Sequence, residues 1–236
     1  MLKFLGRGAA FFGENNCACF TRGSDLVLID CPMSAVHKVC GVGADKLAGT
    51  RVSRIIVLIT HTHSDHVGGL GMLIHYCFYV LHIPVLVVAP SSEVADDILF
   101  LTQKLDGCDS SGYTVQTAEN TDFEWFVCPV ATEHTPQLEG RCFGFVLSLD
   151  GRRVVFTGDT CTLEPFMQYL SPDCELYTEM SAYASPVHLF IGELEPTLRE
   201  LADKQVKIFF MHTDDEKILQ SAAKRIGAHL APLFEE

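Results

Sequence analysis

Residues 60–69, Thr-His-Thr-His-Ser-Asp-His-Val-Gly-Gly, constrain this chain more than any other segment. Three imidazoles and a carboxylate fall within six residues, directly after the β-rich run at 55–59. In an extended segment side chains alternate, so His61 and His63 point to the same side. Both can then reach one metal ion at about 2.0–2.1 Å. A turn into a helix rotates Asp65 and His66 toward a second position, and Gly68 and Gly69 let the backbone pack closely at that turn. The alternative, a loop of ordinary solvated histidines, leaves so dense a pattern to chance.

The other apolar runs supply the frame. Residues 26–29 read as a strand ending at Asp30-Cys31-Pro32, and residues 85–88 as another closed by Ala89-Pro90. Residues 123–130 form a third that leads to Thr132-Glu133-His134. Residues 143–149 and 154–156 flank Asp150-Gly151, a hairpin turn signal. Residues 208–211 end at His212. Helical patterns lie between: 70–81, apolar on several faces and expected to be buried; 92–105; 194–203; and 215–226, with Asp214 or Thr213 as its cap. Hairpins and strand–helix alternation in the first half recur in the second, which predicts an α/β layered protein. Four strands end in His61, His134, Asp159 and His212. Strand ends on one edge of a layered fold converge on a cleft where ligands sit.

Composition narrows the function. With 48% apolar residues the chain can fill a large core, and it reads as one domain over residues 1–236. A net charge of −13 repels phosphate backbones, so an extended nucleic-acid partner is not expected unless bound metal reverses the field locally. The ten cysteines are scattered with no Cys-x-x-Cys pair and read as reduced, mostly buried thiols of a cytoplasmic protein. Cys161, two residues after Asp159, reads as a small buried residue rather than an oxidation-sensitive neighbour of the site. Residues 1–20 do not form a signal peptide, and the most apolar region, 76–90, is too short to span a bilayer.

His61-Thr-His63-Ser-Asp65-His66 resembles the signature of the metallo-β-lactamase fold superfamily, nearest to its RNase Z-like phosphodiesterase branch. Leu28-Ile29-Asp30-Cys31-Pro32, His134, Thr157-Gly158-Asp159-Thr160 and Met211-His212-Thr213 resemble its further segments in the same order. The resemblance implies an αββα four-layer sandwich with a dinuclear site. His61, His63 and His134 would bind one metal and Asp65, His66 and His212 a second, with Asp159 bridging both. Zinc suits this set of N and O donors; manganese and iron also accept it. Gln137 is an alternative to His134 in the third segment. Asp30 reads as a turn-capping or supporting carboxylate rather than a ligand.

Two metals sharing a bridging hydroxide make hydrolysis the default, and Asp65 could also take the proton of the attacking water. The stretch from Glu175 to Ser181, with Val187-His188-Leu189, loosely resembles the paired Glu and His of the RNase Z-type branch. There Glu179 would orient His188, which protonates the leaving oxygen; alternatively His188 flanks the following helix. Endonucleases of that branch usually carry a long basic arm between the third and fourth segments, and only 24 residues separate His134 from Asp159. The expectation is a phosphodiesterase acting on a small cyclic or short nucleotide, with no membrane partner. A lactone or thioester hydrolase is the alternative, and a tRNA 3′-processing endonuclease or a non-catalytic metal-binding protein ranks lower. A homodimer is a family-level expectation.

Overall fold

Runs of consecutive Val, Ile and Leu offer no polar face to water, so they fold as strands covered on both sides. The computed structural model describes residues 1–235 and builds these runs in that way. It comprises two compact units, residues 2–121 with 232–235, and Met1 with residues 122–231. In the first unit β1 (Lys3–Gly6), β2 (Cys17–Arg22), β3 (Asp25–Ile29), β4 (Arg54–Leu58), β5 (Val85–Ala89) and β6 (Tyr113–Thr117) form one sheet in sequence order. β1 to β3 pair antiparallel and β3 to β6 parallel. Parallel neighbours require crossovers. These are α1 (Met33–Val42) and α2 (Ala44–Ala48) after β3, α3 (Ser64–Val67) and α4 (Leu70–Tyr76) after β4, and α5 (Ser92–Leu99) after β5. Residues 26–29 and 55–58 are buried throughout.

The second unit repeats the plan. β7 (Phe126–Ala131), β8 (Phe143–Leu149) and β9 (Arg152–Phe156) form an antiparallel meander. β9, β10 (Glu175–Met180), β11 (Lys207–Thr213) and β12 (His229–Leu230) continue it as a parallel set. Asp150 and Gly151, at φ 52° and 77°, make the expected turn between β8 and β9. Leu176, Ile208 and Phe210 alternate along β10 and β11 and join a core with Leu198 and Leu201 of α6 (Ile191–Asp203) and Leu219, Ala223 and Ile226 of α7 (Glu216–Ile226).

Three expectations need correction. Residues 70–81 are not one buried helix: α4 stops at Tyr76 and a π turn, Cys77–Leu81, follows. A π turn holds more residues than an α turn, so later side chains fall out of phase with buried Leu70, Leu73 and Ile74. Met72, Tyr79 and Val80 are exposed as a result of this phase change and of the single covered face. The strand expected from residue 123 begins at Phe126, because Phe126 N donates to Phe123 O at 2.9 Å and closes a turn. α7 is capped by Asp215, whose Oδ1 accepts from Ile218 N at 3.0 Å, and not by Thr213 or Asp214.

The end of β3 is laced to the signature helix. Cys31 N donates to His66 O at 2.6 Å and Gly69 N to Cys31 O at 2.9 Å. This approach leaves no room at Gly69, where a Cβ would lie 2.6 Å from both Pro32 O and Val36 Cγ2. Gly69→Ala is expected to destabilise the fold by about 1–3 kcal/mol. The check is a lower urea midpoint at an unchanged m-value.

Candidate metal centre

In the first unit the site residues hang on Asp30. Its φ of 65° is a left-handed backbone, which Asp tolerates better than most residues. Its carboxylate accepts from Thr60 N at 2.8 Å, Thr60 Oγ1 at 2.9 Å and His66 Nδ1 at 2.8 Å, and all three residues are fully buried. Burial pushes the Asp30 carboxyl up, and the His66 imidazole and the Thr60 donors oppose that shift. An ionised carboxylate can only accept, so Nδ1 of His66 carries the proton and its lone pair sits on Nε2. The Thr60 hydroxyl spends its one proton on Asp30, so its oxygen accepts from His61 Nδ1 at 3.0 Å. His61 Nε2 then lies 3.0 Å from His63 Nδ1, on the shared side expected from strand periodicity. Asp65, in the first turn of α3, places Oδ2 3.3 Å from His66 Nε2.

The second unit gathers His134, Asp159, Glu179, His188 and His212. His134 follows β7 and donates from Nδ1 to Val187 O at 2.8 Å, which again puts its lone pair on Nε2. That Nε2 is 3.7 Å from Asp159 Oδ2. His212 reaches the same oxygen through an irregularity in β11. By alternation it would point with Ile208 and Phe210 into the helix-covered core. The β10–β11 register instead slips between Glu179 and Met180, and His212 adopts a φ of 47°. The slip turns His212 to the Glu179 side, with Nε2 3.5 Å from Asp159 Oδ2 and Nδ1 3.9 Å from Glu179 Oε2. Buried Glu179 accepts from Thr160 N through Oε1, and its Oε2 lies 2.7 Å from His188 Nδ1. The His188 ring centre is 5.0 Å from that of His134 and 5.4 Å from that of His212.

These donors fit a divalent metal. Separations of 3.5 and 3.7 Å are long for hydrogen bonds. They lie near the edge of a tetrahedral coordination shell, about 3.4 Å between ligands each about 2.1 Å from an ion. His61, His66 and His134 are each held through Nδ1 by an oxygen acceptor, the arrangement that orients imidazoles presenting Nε2 to a metal. Gln137 does not join the cluster: it is exposed, in the short turn Pro136–Leu138, and accepts locally from Thr135 Oγ1. Asp30 supports His66, in line with the supporting role expected of it. Thr60 was not foreseen; its signal is a hydroxyl at a strand end directly before the first histidine.

Cys161 corrects another expectation, since it is exposed. Backbone explains its place: Cys161 N donates to Glu133 O at 2.7 Å, tying the segment after Asp159 to the one before His134 while the side chain faces outward. Burial pushes the Cys19 and Cys77 thiols up to about 12. Partial burial raises the Cys40 and Cys161 thiols as well, but both are exposed, so iodoacetamide at neutral pH is expected to tag them in the native protein and to spare buried Cys19 and Cys77. Peptide mapping by mass spectrometry reads the outcome, and equal labelling of all four would contradict it.

The metallo-β-lactamase fold protein YhfI from Bacillus subtilis superposes with a TM-score of 0.74 at 16% identity, covering 97% of this chain and 94% of that one. The short form of human tRNase Z gives 0.67 at 18% identity, covering 99% and 97%. The anti-Pycsar protein Apyc1 of Bacillus phage vB_BsuM-Goe3 is 29% identical over 249 aligned positions, covering 91% of this chain and 89% of that protein. The family model described as anti-Pycsar protein Apyc1 matches residues 1–229. No described helix is long and apolar enough to cross a membrane. The chain has the metallo-β-lactamase fold, and it belongs to the family of the anti-Pycsar protein Apyc1.

Proposed function

We propose that the chain hydrolyses cyclic nucleotides, opening the phosphodiester ring to a linear monophosphate, the substrate class suggested by membership of an anti-Pycsar family. The observation that carries the reading is the Glu179–His188 pair, 2.7 Å apart, beside His134, Asp159 and His212. An alkoxide is a poor leaving group from phosphorus unless it is protonated as it departs. A buried carboxylate that accepts from Nδ1 stabilises the imidazolium and aims Nε2 outward, as a proton donor to that oxygen requires.

His61, His63 and His134 are assigned to one metal, Asp65, His66 and His212 to a second, and Asp159 to both. Zinc is the ion this N and O donor set favours, with manganese and iron also acceptable. When bound, such ions acidify a water molecule into a nucleophile and neutralise charge on a phosphoryl oxygen. Positive charge held there would draw an anionic substrate to a chain whose net charge is −13. Asp65 receives the proton of the attacking water, and His188 Nε2 gives one to the departing ribose oxygen.

The test strips the protein with a chelator, reloads it with zinc or manganese, and assays cyclic mononucleotides beside lactones and thioesters. Turnover of cyclic mononucleotides only after reloading is expected. Lactone or thioester turnover with cyclic nucleotides untouched would overturn the reading.

A further inference from the structure

Asp214 has no place in the proposed ligand set, yet it holds the loop that carries His188. The loop, residues 181–190, is closed at its base by Ser181 N to Leu189 O at 2.8 Å and Ile191 N to Ser181 O at 3.0 Å. Its second half is fixed by the His188–Glu179 contact and by Val187 O, which accepts from His134. Its first half is fixed from the end of β11. Asp214 Oδ1 accepts from Ala182 N at 2.8 Å and Oδ2 accepts from Ser181 Oγ at 2.5 Å. Tyr183, on the same arm, donates its hydroxyl to Asp215 Oδ2 at 3.2 Å. Asp214 lies two residues beyond His212, past the register slip that turns His212 inward. One short segment therefore sets both His212 and the seat of His188.

We propose that Asp214 is a positioning residue, pinning the 181–190 loop so that His188 meets the leaving oxygen. The inference rests on the proposed role of His188. Cutting the pin leaves Ala182 N without its acceptor and turns the Ser181 hydroxyl to Tyr183 O, 2.6 Å away on the same arm, so the arm loses its tie to β11 and can move. A misplacement near 1 Å costs a proton donor on the order of 10² in rate, while substrate binding at the metal ligands is untouched.

The experiment compares wild type, Asp214→Ala, Asp214→Asn and His188→Ala on two substrates. In a cyclic nucleotide the leaving group is an alkoxide that needs a proton; in bis(p-nitrophenyl) phosphate it is p-nitrophenolate, which leaves without one. Asp214→Ala is expected to lose roughly 10- to 100-fold in kcat on the cyclic nucleotide, with KM and nitrophenyl turnover within about threefold of wild type. Asp214→Asn restores most of the loss, since its amide oxygen accepts from Ala182 N and its NH2 reaches Ser181 Oγ. In a His188→Ala background, Asp214→Ala adds nothing further. Equal losses on both substrates, or losses that add to those of His188→Ala, would overturn the proposal. Hydrogen exchange of residues 182–188 reads the pinning without any substrate: it is expected to rise about tenfold or more in Asp214→Ala, and no change overturns the proposal. If wild type ignores cyclic nucleotides while exchange still rises, the substrate reading has failed and the pin stands.

Discussion

Asp159→Ala is expected to abolish turnover of cyclic nucleotides by at least about 10³-fold, a loss of about 4 kcal/mol of transition-state stabilisation. Asp159 is buried, and its Oδ2 stands 3.5 Å from His212 Nε2 and 3.7 Å from His134 Nε2. As the ligand proposed for both metals, it would supply the negative charge that lets two cations sit close together. Without it, metal content should fall together with activity. The fold should survive, because the contact of this residue with the rest of its unit that runs through Thr132 Oγ1 is made by the main-chain oxygen of Asp159, at 3.0 Å. Elemental analysis of the purified variant beside its far-ultraviolet circular dichroism separates these outcomes. A variant with full metal content and turnover within tenfold of wild type would remove Asp159 from the site.

The second large effect is selective. His188→Ala is expected to lose about 10²- to 10⁴-fold on a substrate with an alkoxide leaving group, the usual range for a positioned general acid. The loss should be small with a p-nitrophenolate leaving group, which departs without help. Glu179→Gln should show the same selectivity, since its amide cannot stabilise the imidazolium that the carboxylate at 2.7 Å supports. The double variant should be no worse than His188→Ala alone, because the two side chains act as one unit. Uniform losses across leaving groups would instead mark a structural role for His188 and Glu179.

The parts of this molecule that were legible in its sequence are those fixed locally. β4 and the signature that follows it are contiguous, and strand periodicity alone aligns His61 with His63. The Asp150-Gly151 turn likewise needs only its own two residues. What was hidden depends on distant partners. β10 looks too polar for a buried strand, since Glu175, Thr178 and Glu179 lie along it; all three are buried. Tyr177 satisfies Glu175 with a hydrogen bond at 3.0 Å, and His188 satisfies Glu179. His212 was found as a strand-end residue, but the register slip that aims it is set by pairing with β10 and leaves no mark in the sequence. Asp214 and Asp215 are adjacent acids that sequence cannot tell apart; one holds Ser181 and Ala182, and the other caps α7. The apolar stretch at 70–81 misled for a related reason. A run of large apolar residues signals burial only while the helix keeps its phase, and the π turn at Cys77–Leu81 breaks it.

Metal-loaded protein should hydrolyse a cyclic nucleotide by attack of water at phosphorus. The most direct measurement is phosphorus NMR of a cyclic mononucleotide incubated with zinc-loaded protein in water enriched in oxygen-18. The cyclic phosphodiester signal should give way to a linear monophosphate carrying a single label on its phosphate. A cyclic signal that persists unchanged, while elemental analysis finds two metal ions bound per chain, would contradict the claim.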